Sequence, residues 1–260
     1  MYSTSEPLID DGGHTYHTMR DVLSEIGRLR GSEGFRAYSD IRAVESYFRM
    51  TQEKCRVLIR ELDDISSRPS GWWRSYEIVE EESLELSQAL TDFLSRMYFC
   101  KNHASSCAAR YGLEDEYRAI RKRYFGEEAA IVIGLRNYTV HVDMAPLAVG
   151  PGGRPAFTDR CRKNPIWSAK ERRILKKADP AELIEAYEEQ MECVYSEFGA
   201  ALAEAVRPKM KECRREIKDF NSWAGFEMVR YEPLWGTGRP RKASGPCRGR
   251  GPDGAPVRTA

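Results

Sequence analysis

The chain has 260 residues, 41% hydrophobic and 31% charged, with a formal net charge of +1. That is enough for one large domain or two small ones with a sizeable core, so most of the chain is expected to be globular. The longest apolar run, Ala129 to Leu135, is broken by Gly134 and falls far short of the ~20 residues a membrane span needs. Met1 to Gly13 has no basic n-region and no apolar h-region, so it does not read as a secretory signal. Seven scattered cysteines without a CxxC pair suggest reduced, helix-buried thiols. The expectation is a soluble, cytoplasmic protein without membrane contacts.

Residues 1–13 are read as a flexible N-terminus and 14–235 as a helical bundle domain. Thr15 to Leu29 has Met19, Val22, Leu23, Ile26 and Leu29 at helical spacing, before Gly31 and Gly34 interrupt it. Arg36 to Ile65 repeats apolar residues at Ile41, Val44, Phe48, Cys55, Leu58, Ile59, Leu62 and Ile65, which predicts a long bundle helix. Pro69 marks a loop. The next helix is predicted over Arg74 to about Ser106, with Val79, Leu86, Leu90, Phe93, Leu94 and Met97 inward. Another follows from Leu113 to about Met144, weakened by Gly126 and Gly134.

Pro146 to Ser168 reads as a Pro/Gly-rich loop with room for a short hairpin. Asp179 as N-cap and Pro180 at the first helical position open the last helix, which runs to Phe220 with a kink at Pro208. No internal repeat and no sustained β-alternation is present. The predicted fold is therefore all-α: a bundle of long helices, with a basic loop (146–177) inserted before the last one.

The near-zero net charge hides an asymmetry. Arg154 to Lys177 holds nine basic residues against Asp159 and Glu171, a local charge of +7. The segment 236–260 holds six against Asp253, a charge of +5, and is too poor in apolar residues to order itself. It is read as a disordered basic tail. A basic segment on an acidic body suits a polyanion, although charges decorating a short helix can also be simply solvated.

The chemistry is concentrated in Arg136-Asn137-Tyr138-Thr139-Val140-His141. Asn137 and His141, at i and i+4, share a helix face, while Arg136 sits ~140° from His141 and must wrap toward it. Pro146 ends the helix soon after, so the group lies near a C-terminus, where the dipole favours positive charge. RNA cleavage by its 2′-hydroxyl needs an acid and a base, and histidine serves as either. A guanidinium stabilises the extra negative charge of the transition state. Asn137 can orient the imidazole or hold a phosphate oxygen. One histidine cannot be acid and base at once, and a homodimer would bring two together.

On a late helix of an all-helical chain, Arg136, Asn137 and His141 resemble the HEPN superfamily of nucleases, whose signature is Arg, four to six residues, then His. The resemblance covers this motif and the helical context of about Arg36 to Phe220. It implies a dimerising helical bundle with a composite, metal-independent ribonuclease site and no cofactor. It also implies a toxin or phage-defence role, with RNA as substrate and an antitoxin or regulatory protein as partner. Asp143 stands where some toxin members carry a Tyr. Arg96 and His103 also fit the loose spacing, but Met97 rather than a polar residue follows that Arg. The alternative to an enzyme is a non-catalytic helical module binding RNA or protein. In that case Arg136 is salt-bridged and His141 only caps the helix.

Other groups are weaker. Arg160, Arg162, Lys163 and Trp167 combine phosphate neutralisation with a stacking surface and are the predicted RNA-binding residues. Cys100, His103 and Cys107 share a helix face but lack a fourth zinc ligand, so buried thiols are the better reading. Glu80, Glu81, Glu82 and Glu85 lack the Glu-x-x-His pairs of di-metal bundles and read as a solvated cluster. Trp72-Trp73 suits a packed staple better than a base platform. Gly150 to Gly153 is not followed by the Lys-Ser/Thr of a phosphate loop, and no Gly-x-Ser-x-Gly elbow occurs.

Overall fold

The computed structural model describes residues 8–9, 15–69, 71, 75–143, 145–150, 152–225 and 227–231. Among them nine helices and two short strand pairs are present, so the all-α expectation holds. The segment 236–260, read as a disordered tail, lies outside the described residues, as do Trp72 and Trp73. Within the stretch read as a flexible N-terminus, β1 (Leu8–Ile9) pairs antiparallel with β2 (Thr15–Tyr16). The described residues fall into two compact units, one up to Ala43 together with those from Gly199, the other Val44–Phe198. No helix among the described residues is long and apolar enough to cross a membrane.

In the first unit, α1 (Met19–Gly31) starts at a capping box. Thr18 Oγ1 accepts from the Asp21 amide, and the Asp21 carboxylate accepts from the Thr18 amide at 3.1 Å. Val22 and Leu29 are buried. The beginning of α2 (Glu33–Ser67) adds Ala37, Tyr38 and Ile41 to the core. The predicted last helix is two helices, α8 (Pro180–Ala205) and α9 (Arg207–Ala224), parted at Val206. Pro208 therefore sits in the first turn of α9, where its missing N–H breaks no hydrogen bond. Met210, Cys213, Ile217 and Phe220 form the buried face of α9.

In the second unit, the long periodicities appear as predicted. Val44, Phe48, Cys55, Leu58, Leu62 and Ile65 of α2 are buried, as are Leu86, Leu90, Phe93, Leu94 and Met97 of α3 (Tyr76–Tyr111). Asp179 caps α8, its Oδ1 accepting from the Ala181 amide at 2.8 Å. The helix expected over Leu113 to Met144 divides into α4 (Glu114–Tyr124) and α5 (Glu127–His141). Burial decides the break: Phe125 stacks on Tyr187 at 5.8 Å, and the Gly126 amide donates to Gln190 Oε1 at 3.0 Å.

The predicted hairpin is β3 (Leu147–Val149) paired antiparallel with β4 (Pro155–Phe157). It is tied to α3, because Ser83 Oγ accepts from the Val149 amide and Ser87 Oγ donates to the Leu147 carbonyl. Two short helices follow, α6 (Asp159–Lys163) and α7 (Ala169–Lys177), the latter opened by a Ser168/Glu171 capping box. Cys55, Cys100, Cys107, Cys161 and Cys213 are buried and form no disulfide. Cys193 departs from the reduced-thiol expectation, being disulfide-bonded.

Candidate functional site at the C-terminal end of helix α5

Helix α5 ends at His141, as the approach of Pro146 predicted. Its inner face, Ala129, Ile131, Val132, Leu135 and Tyr138, is buried and fixes the rotation of the helix. That rotation leaves Asn137 and His141 exposed and Arg136 half-buried. Beyond His141, the amides of Val142 and Asp143 both donate to the Tyr138 carbonyl, which closes the helix end.

Arg136 does not meet His141. Its guanidinium lies 3.7 Å over the ring centroid of Tyr98 on α3, and its Nη1 reaches the Asn137 Oδ1 at 3.4 Å. A guanidinium flat on an aromatic face is held by the ring quadrupole and keeps its N–H edge available. The Asn102 side chain hydrogen-bonds Tyr98 and, with the charge of Arg136, lowers the phenol below its ordinary pKa. No ion pair neutralises Arg136 among the described residues, so the salt-bridged alternative for this arginine is not what the structure shows. His141 makes no hydrogen bond or ion pair there either. The structure thus joins Arg136 with Asn137 and leaves His141 open at the helix end.

The predicted RNA-binding residues sit differently from one another. Trp167 is a correction: it is only 2% exposed, and its ring fills the space beside Gly134 of α5. Its Nε1 donates to the Cys161 carbonyl at 2.8 Å. A buried indole with a satisfied N–H offers no face to a base, so Trp167 belongs to the core. Arg160 pairs with Asp143 at 3.1 Å, while Arg162 and Lys163 both pair with Asp159 at the start of α6. These cations remain on the surface, with much of their charge offset locally. Lys170 likewise pairs with Glu127.

Of the candidate zinc trio, His103 and Cys107 bring ligand atoms within 4.8 Å of one another. Cys100 is buried and its thiol is pushed up to about 11 by desolvation. The His103 ring packs at a tilt against Tyr47, centroids 5.3 Å apart. Of the glutamate run, Glu82 pairs with Arg68.

Sequence reasoning missed Tyr98, which lies beneath Arg136, and Lys101, which feels the charges of both Arg136 and Arg121. Tyr98 and Lys101 lie one turn apart on α3, a visible spacing, but nothing local says that α5 places a guanidinium on that turn. The site and fold define an all-α protein with a cation-rich, exposed helix end. Compared with protein-family models, with curated proteins and with solved structures, the chain matches none.

Proposed function

We propose that this protein is a metal-independent endoribonuclease. His141 acts as acid or base, Arg136 stabilises the charge of the transition state, and Asn137 holds a phosphate oxygen or the imidazole. The observation that carries this reading is the exposure of Asn137 and His141 together at the end of α5, next in sequence to an arginine that no carboxylate among the described residues neutralises. A second copy of the chain completes the site by supplying the other histidine. A toxin or defence role, restrained by an antitoxin or regulatory protein, follows from the same reading. The test is cleavage of RNA by purified protein in excess EDTA. Wild type alone should give 2′,3′-cyclic phosphate ends, and His141→Ala and Arg136→Ala should not. Full activity of His141→Ala would refute the assignment.

One observation favours a second reading, a helical RNA-binding module without catalysis. Arg136 rests on Tyr98 rather than against His141. In that case wild type and both variants fail to cleave, and Arg136→Ala loses RNA affinity while His141→Ala keeps it.

A further inference from the structure

Four half-buried cations of Val44–Phe198, Arg96, Lys101, Arg121 and Arg136, have no ion pair among the described residues, and the last three are linked through Lys101. Lys54, Arg56, Arg118, Arg123, Arg160 and Lys170 each pair with an acid. Lys101, Arg121 and Arg136 are half-buried and have no ion pair among the described residues. Exposed cations need no partner because water solvates them. Half-buried ones that repel each other are costly unless something answers their charge.

The two guanidinium groups are held in place. Arg136 lies on the Tyr98 ring. Arg121 sits 5.6 Å from the centroids of both Tyr117 and Phe125, and its Nε is buried without a hydrogen-bond partner. Lys101 is one turn beyond Tyr98 on α3. Burial, then the charges of Arg121 and Arg136, lower its pKa, so each of the two guanidinium groups is within electrostatic reach of Lys101. Aromatic rings hold both guanidinium groups, and among the described residues no carboxylate pairs with any of the three cations.

We infer that Lys101, together with Arg121 and Arg136 on the rings of Tyr98, Tyr117 and Phe125, forms a binding site for a phosphate group. A phosphate carries the charge that three cations require, and its oxygens match guanidinium forks and an ammonium donor. The phosphate belongs to a single-stranded RNA backbone or is free in solution. The RNA source rests on the reading above, whereas the phosphate site does not.

The test uses two probes, inorganic phosphate and a 2′-O-methyl oligoribonucleotide that cannot be cleaved through its 2′-oxygen. Binding is therefore read whether or not the protein is a nuclease. Lys101→Gln should weaken both about ten-fold and lower the salt slope for the oligonucleotide by about 0.7. Lys122→Gln, at an exposed position on α4, should change neither by more than the loss of one distant charge. In phosphate-free buffer Lys101→Gln should melt higher than wild type, because it relieves repulsion, and phosphate should raise the Tm of wild type only. Arg121→Gln, checked for folding by circular dichroism, should repeat the affinity loss. Loss for phosphate without oligonucleotide binding would assign the site to free phosphate or a small ester. Equal binding of both probes by wild type and Lys101→Gln, or binding of neither, would overturn the inference.

Discussion

The indole of Trp167 occupies the place where a side chain at Gly134 would begin: its Cζ3 and Cη2 atoms overlap the position of a Cβ there. This contact pins the chain between α6 and α7 to the helix that carries Arg136 and His141. A glycine in a helix interior is ordinarily a weak point. Here it is what allows the ring to reach the helix.

Gly134→Ala is therefore expected to destabilise the protein. Helix propensity alone would stabilise it by up to ~1 kcal/mol. Overpacking against the ring costs about 1–3 kcal/mol and should win, because the ring is enclosed and cannot swing away. Urea unfolding decides the sign; a stabilised variant would show that the ring moves freely.

A similar close approach holds the start of α2 to α9. A Cβ on Gly34 would lie 2.8 Å from the Cys213 amide nitrogen and 3.0 Å from the Lys209 carbonyl oxygen. Backbone cannot yield as a flexible side-chain end can. Gly34→Ala should lower stability by about 1–3 kcal/mol, and Gly34→Val by more. Thermal melts of the two variants check the order.

Alkaline pH should destabilise the fold through its buried thiols. Desolvation pushes Cys161 and Cys213 up to about 12 and Cys100 up to about 11, from an ordinary 9.0. Above pH 9 the unfolded chain releases these protons while the folded chain keeps them, so the folded state is the one holding more. Stability then falls as pH rises from 9 toward 11–12, each thiol adding a slope of up to ~1.4 kcal/mol per pH unit. Tyr187 and Tyr195, raised well above 10.0 by burial, steepen the loss above pH 10. Urea midpoints at pH 8, 9, 10 and 11 measure it, and Cys161→Val should flatten the decline. A flat profile to pH 11 would contradict the burial of these groups.

For the proposed ribonuclease, His141→Ala should reduce cleavage by about 10²–10⁴-fold, the span of lost acid–base catalysis. Because His141 is exposed and its side chain has no hydrogen bond or ion pair among the described residues, the melting temperature should barely change. Tyr98→Leu removes the surface beneath Arg136 and should weaken RNA binding while leaving the His141 pH profile in place. A His141→Ala variant that unfolds would instead reveal a capping role.

The buried stripes of α2, α3 and α8 could be read from the chain because they are properties of single segments. Apolar residues at Leu86, Leu90, Phe93, Leu94 and Met97 can bury together only on one side of a helix, whatever lies opposite. Asp179 and Pro180 were legible for the same reason, since a cap satisfies amides within three residues of itself. The motif at Arg136, Asn137 and His141, and its position at a helix end, were also local.

Everything that depends on the meeting of distant segments was decided by tertiary packing. Phe125 ends α4 because Tyr187 is there to receive its ring, and Leu113 to Met144 has no signal for that partner. Trp167, amid basic residues, looked like a surface for RNA until Gly134 opened a slot on α5. Arg136 could wrap toward His141 by spacing alone, yet the ring of Tyr98 captured it. Periodicity along a helix determines which of its faces is buried. The rotation and register of one helix against another determine which side chains touch, and those follow from the packing of the whole core.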